Sequence, residues 1–189
     1  MNDTLLIRAN LVIACATVVA AIAAIASARY ARKAVNDQQA NFDKQLAEYK
    51  LALLAETTLK FEERFNDPHF KQIRSRAALA LRNNSHEEDA EDVFDFFDTL
   101  WLFIDLGALT ERIAYSVFFH WINLYWKAGK HHIGSKQQDT ASVWQGFSSL
   151  YNKVVEIERQ NNADSEDLKM SELRLGKQLQ DEIDVADIT

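Results

Sequence analysis

No proline or glycine interrupts the first 67 residues. Within that run, the twenty residues from Ala9 to Ala28 have only Asn10, Thr17 and Ser27 as polar members. Twenty helical residues rise about 30 Å, the thickness of a bilayer's hydrocarbon core, so the segment is long enough to span. Ala26-Ser27-Ala28 has the small-x-small pattern of a signal-peptidase site. A secretory apolar core, however, is only about 7 to 15 residues long, and the basic residues after the cut would cross the membrane against the positive-inside bias. Arg29, Arg32 and Lys33 follow the segment, whereas Arg8 alone precedes it and can snorkel to the near surface. The sequence therefore predicts an uncleaved single-pass anchor over 1–28 in the inner (cytoplasmic) membrane, with the N-terminus outside and the remaining mass in the cytoplasm. Ala16, Ala20, Ala24 and Ala28 are spaced four apart, the small-xxx-small arrangement that lets helices approach closely in lipid.

The rest of the chain is also written for helices. One proline and five glycines in 189 residues leave few turns, and no stretch alternates in the manner of a strand. After the basic cluster, Phe42, Leu46, Tyr49 and Leu53 are spaced 4, 3, 4, with Val35 one heptad earlier, the rhythm of a coiled coil. The apolar stripe then shifts to Leu54, Phe61 and Phe65. These features predict a stalk helix over 29–66, continuous with the anchor. Its stripe pairs either with another helix or with the domain behind it.

Residues 67–189 read as a cytoplasmic helical bundle of about five helices with an acidic tail. Asp67 and Pro68 are an N-cap and a first helical residue, opening a helix to about Arg82 that turns Phe70, Ile73, Ala77 and Leu81 inward. Ser85 with Glu88 forms a capping box for a third helix, which reaches Leu106 and stops at Gly107. Its "VFDFFDTLWLFIDL" is apolar nearly all round and is expected at the centre of the domain. Thr110 opens a fourth helix to about Lys127, ended by Gly129. "GKHHIGSKQQD" is read as a loop, and Thr140 opens a fifth helix. A weaker amphipathic helix follows from Leu168 to Ile183, with Leu175, Leu179 and Ile183 on one face. Short connections make successive helices antiparallel neighbours.

Motifs for chemistry are missing. A net charge of −7 gives no pull toward nucleic acid. Cys15, the only cysteine, lies in the apolar segment, so there is neither a disulfide framework nor a cysteine metal site. The acidic run Glu87, Glu88, Asp89, Glu91, Asp92, Asp95 and Asp98 has no Glu-x-x-His beside it to build a dinuclear centre and reads as a helix start favoured by the macrodipole. His131 and His132 lack a third ligand at useful spacing, and His120 sits on a polar edge. In "GKHHIGSK" the serine and lysine stand in the wrong order for a phosphate loop. No catalytic residue, cofactor or metal is predicted. Lys71, Arg74, Arg76 and Arg82 cluster on the second helix. They pair with the acidic helix that follows or, as Lys71, Arg74 and Arg76, form a contact for an anionic ligand or partner, with Arg74 the one expected to be buried.

"FEERFNDPHFKQIRSRAALAL" (Phe61 to Leu81), "VFDFFDTLWLFIDLGAL" and "FFHWINLYW" resemble a family of uncharacterised bacterial proteins that couple one N-terminal membrane span to a helical domain of unknown function. The likeness runs from Leu5 to Trp126 and rests on Phe65, Asp67, Pro68, Phe70 and Arg74 in the pattern F-x-D-P-x-F-x-x-x-R, together with the aromatic helix pair. The resemblance implies this same architecture, a bacterial origin and no known catalytic residues. The expectation for function is a membrane-tethered, non-catalytic interaction or regulatory module with the lipid bilayer and a protein partner or a second copy as its partners. The alternatives are an accessory or self-assembling subunit of a membrane complex, a membrane effector, and an enzyme with an unrecognised site of scattered arginine and carboxylate residues, which a deep polar pocket containing Arg74 with Asp95 or Asp98 would support.

Overall fold

The computed structural model describes the backbone of residues 2–85 and 88–185. Side chains are described from residue 27 onward apart from residue 185, together with Thr17, Ala20 and Ala24. The described residues form six helices and no strand: α1 (Asn2–Asn66), α2 (Pro68–Arg82), α3 (Glu88–Asp105), α4 (Glu111–Asp139), α5 (Gln145–Asn161) and α6 (Glu172–Val185). They divide into two compact units, residues 1–51 and 52–189.

Among the described residues no helix is long and apolar enough to cross a membrane. Most side chains of the predicted span, including Ala16, and the side chain of Arg8 lie outside those described. Ala20, Ala24 and Ala28 are exposed on α1, as are Arg29, Arg32 and Lys33. Val35, Phe42, Leu46, Tyr49 and Leu53 are between 40% and 68% exposed, so the heptad stripe is uncovered.

In the second unit the apolar spacing is buried instead. Phe61 and Phe65 enter an aromatic core with Phe70, Phe96, Phe97 and Phe118, and the Phe65 ring lies 5.3 Å from both Phe96 and Phe118. α1 ends where Pro68 disfavours helical geometry at Asp67. The Asp67 carboxylate then accepts from the amides of His69 and Phe70 and opens α2 as predicted. Phe70, Ile73, Ala77 and Leu81 are all buried. α3 is the central helix: it packs against α2, α4 and α5 and buries Val93, Phe94, Phe96, Phe97 and Leu100. Gly107, with φ of 72°, follows it in the left-handed region that favours glycine. Trp144 is buried and Trp101, Trp121 and Trp126 are half-buried against the core, so the tryptophans close the bundle.

Four boundaries differ from the sequence prediction. α4 does not end at Gly129 but continues to Asp139, so "GKHHIGSKQQD" is helical. Gly129 is where helix α4 meets the Phe94 ring: a Cβ there would stand 2.3 Å from Cζ, so the glycine permits close approach and is not a stop signal. Thr140 closes α4, its amide bonding the Lys136 carbonyl, and α5 starts only at Gln145, after Trp144 with φ of 49°. Among the described residues Ser85 serves α2, its hydroxyl donating to the Ala80 carbonyl, and residues 86–87 ahead of α3 lie outside those described. The last helix begins at Glu172 instead of Leu168, because Asn123 and Lys127 hold the carbonyls of Asp167 and Leu168 on α4. That helix packs on α2 and α4.

Candidate functional site

Of the predicted contact residues, Arg74 is the buried one, 3% exposed. Its guanidinium carbon lies 3.9 Å from the centre of the Phe65 ring, and Nη1 donates to the Phe65 carbonyl at 3.3 Å. The cation is thus held by the end of α1, where a helix presents unbonded carbonyls, and by an aromatic face. Arg76 is turned the other way and makes a two-pronged pair with Asp89 at 2.8 and 2.9 Å, the expected link to the acidic helix. Lys71 is half-buried. Arg82 bonds Gln180. The three residues proposed as one contact therefore do not converge.

Arg74 converges with residues the sequence reading had not named for a site. Glu182 of α6, 8% exposed, places Oε2 at 3.3 Å from Arg74 Nε, an ion pair that lacks the angle of a hydrogen bond. Trp121 Nε1 donates to Glu182 Oε1 at 2.8 Å. The Tyr125 hydroxyl has two acceptors in reach, Glu182 Oε2 at 3.3 Å and the Arg74 carbonyl at 3.1 Å. Burial pushes the Tyr125 phenol well above its ordinary value and the Glu182 charge adds to this, while Arg74 opposes it. The hydroxyl therefore stays a donor at neutral pH. One carboxylate is thus received by a cation from α2 and two donors from α4, a charge-assisted cluster in a closed environment. The signal for Glu182 was its place between Leu179 and Ile183, a charge inside an apolar stripe.

Arg74, Asp95 and Asp98 are not brought together. The Asp95 carboxylate accepts from Trp144 Nε1 at 2.7 Å, and Asp98 accepts from the Phe147 amide at 2.9 Å. These two α3 side chains fix the start of α5, which has no side-chain cap of its own. A surface groove of about 690 Å³ includes Lys60, Arg64, Asp67 and Asp95 in its lining, but not Arg74. These groups are already engaged: Lys60 with Glu56, Asp67 at the head of α2, Asp95 with Trp144, and Arg64 over the rings of Phe70 and Phe96. His132 lies 3.3 Å from Glu91 and against the rings of Phe94 and Trp144, whereas His131 and His120 are exposed. Among the described residues no group of three or more His, Cys, Asp or Glu side chains is placed to hold a metal.

Fold and site together define an all-α protein with an enclosed polar cluster that joins α2, α4 and α6 and with an exposed helical stripe of apolar side chains on α1. The chain belongs to the family described as Domain of unknown function (DUF4760), whose model matches residues 11–154. That span extends beyond the resemblance seen in sequence, which stopped at Trp126, and ends within α5, short of α6. No curated protein and no solved structure matches the chain.

Proposed function

We propose that the protein is a membrane-tethered, non-catalytic interaction module in which α1 recruits a second helix. The observation that carries this is the uncovered stripe Val35, Phe42, Leu46, Tyr49 and Leu53, in a protein whose other aromatic residues are largely packed into a core. A 4, 3, 4 spacing is what a partner helix requires, because it keeps one seam facing the neighbour as the two supercoil. The apolar run Ala9 to Ala28 and the basic residues after it support an anchor with the bundle on the cytoplasmic side of a bacterial inner membrane. Confinement near the bilayer would raise the effective concentration of any membrane-proximal partner.

One observation favours a second copy as that helix, the self-assembling alternative. In a parallel pair, Gln38 would face Asp43 and Gln45 would face Lys50 across the seam, so no like charges oppose. Exposed Ala20, Ala24 and Ala28 leave a small-residue face available for the same pairing. The test is cysteine cross-linking of the full chain in nanodiscs after Cys15→Ser. Leu46→Cys, on the seam, is expected to form a disulfide between copies, and Lys44→Cys, on the outer face, is not. Equal cross-linking at both positions would remove the seam, and Leu46→Cys that never cross-links would remove the second copy. A reporter fused after Thr189 should be active in the cytoplasm; activity in the periplasm would overturn the orientation.

A further inference from the structure

We infer that the groove between α2 and α4 is a docking site for a helix carrying leucines at i and i+4 and a carboxylate at i+7, and that α6 fills it in cis. Its own Leu175, Leu179 and Glu182 follow that spacing, the pattern of helix-in-groove recognition. The inference stands apart from the α1 seam, since every residue it uses lies in 52–189.

The receiving side is built without α6. Arg74 is held over the Phe65 ring and on the Phe65 carbonyl, so the guanidinium has partners in α1 besides Glu182. Trp121 and Tyr125 present their donors from α4. All four residues fall within the matched family segment 11–154, whereas the carboxylate they receive comes from outside it.

The occupant is held at few points: the Glu182 carboxylate, buried Leu179, the Ser75 hydroxyl on the Ile183 carbonyl and Arg82 on Gln180. Among the described residues of α6 only Leu179 and Glu182 are buried, Leu175 and Ile183 are half-buried, and Leu173 is 89% exposed. Gly176 sits in mid-helix with no atom within 4 Å of a Cβ built on it, so it weakens the helix without serving a close approach. Asn123 and Lys127 fix the carbonyls of Asp167 and Leu168 on α4. Residues 169–171 therefore link that fixed turn to α6, and α6 would leave there by giving up the pairs of Arg174 with Glu166 and Asp167. A partner helix with the same carboxylate and a better helix former at the glycine position would compete for the groove. The tethered α6, at an effective concentration on the order of mM, sets the threshold such a partner must exceed.

The test uses the full chain with a site-specific protease sequence inserted after Lys169, cleaved and washed, and a labelled synthetic peptide of residues 170–185 as probe. The cleaved protein should release its α6, keep its near-UV aromatic circular dichroism and bind the peptide, while the uncleaved protein should not bind it at micromolar concentration. A Glu182→Gln peptide should bind at least about tenfold more weakly, because the buried Arg74 would lose its counter-charge. A Gly176→Ala peptide should bind about fivefold more tightly. Collapse of the aromatic signal when α6 leaves would show that it is integral core and would overturn the inference, as would binding indifferent to Glu182. Exchange of α6 between copies into swapped dimers, in place of peptide uptake, would make the occupant a second copy and overturn the partner helix.

Discussion

The two apolar stripes of α1 obey the same spacing rule and meet different fates. Val35, Phe42, Leu46, Tyr49 and Leu53 are exposed, while Phe61 and Phe65, a few turns later on the same helix, are 7% and 1% exposed. Helical periodicity says that a face will be covered, but not by what. Phe61 meets the rings of Phe96 and Phe103, and Phe65 those of Phe70, Phe96, Phe97, Phe118 and Trp121. The earlier stripe has a seam's spacing and is exposed among the described residues. A buried stripe contributes to folding, and an exposed one is available for association.

The widest test of that contrast is a pair of truncations. Phe65→Ala should destabilise the bundle by ~3–5 kcal/mol in urea unfolding followed by tryptophan fluorescence, since it removes the ring beneath Arg74 as well as its aromatic contacts. Phe42→Ala should stay within ~0.5 kcal/mol in the same measurement and instead weaken association. Equal losses would erase the distinction between the stripes.

A second pair sharpens it inside α4. Gly129→Ala should cost ~1–3 kcal/mol because its Cβ would collide with Phe94. Gly134→Ala, with no atom within 4 Å, should stabilise by up to ~1 kcal/mol as alanine replaces glycine in a helix. Thermal melts of the two variants should move in opposite directions, and a shared direction would mean that close approach is not what distinguishes them.

Removal of a cap should cost less than removal of core. Asp98→Ala leaves the Phe147 amide without its acceptor and should cost ~1 kcal/mol, with hydrogen exchange accelerated at the start of α5 before the rest of the bundle. Uniform acceleration would argue against a local role.

The smallest effect is electrostatic. A hydrogen bond from Lys136 holds the Glu91 carboxyl below its ordinary range, against burial, and the charges of Lys136 and His132 add to it. A depressed carboxyl contributes stability that is present above its unfolded value and lost as pH falls through the folded one. Both side chains are more than a third exposed, so solvent screening leaves the contribution small. Lys136→Met should slightly flatten the acid side of the stability profile, and an unchanged profile would discount the pair.

Much of the bundle was legible because its signals are local. Asp67 and Pro68 open α2 through contacts two and three residues away, and Gly107 follows α3 through its own backbone angle. The inward faces of α2 and α3 followed from their spacing. Ser85 misled because a hydroxyl near two helix ends can serve either, and it bonds the end of α2. Gly129 misled because a glycine that stops a helix and one that lets a ring approach look alike in sequence. The signal against a stop was the series Phe118, Ile122, Tyr125, Gly129, Ile133, which carries the buried face through the glycine.

The sequence by itself determined an all-helical chain, the heptad stripe, the boundaries of α2 and the centrality of α3, because caps, proline and periodicity act within a few residues of the chain. Only the tertiary structure decided that Asp98 would start a helix 49 residues away and that Arg74 would meet Glu182. Such pairs form when packing removes water around groups that no local rule relates, and a buried charge then takes whichever opposite charge the fold has brought to it.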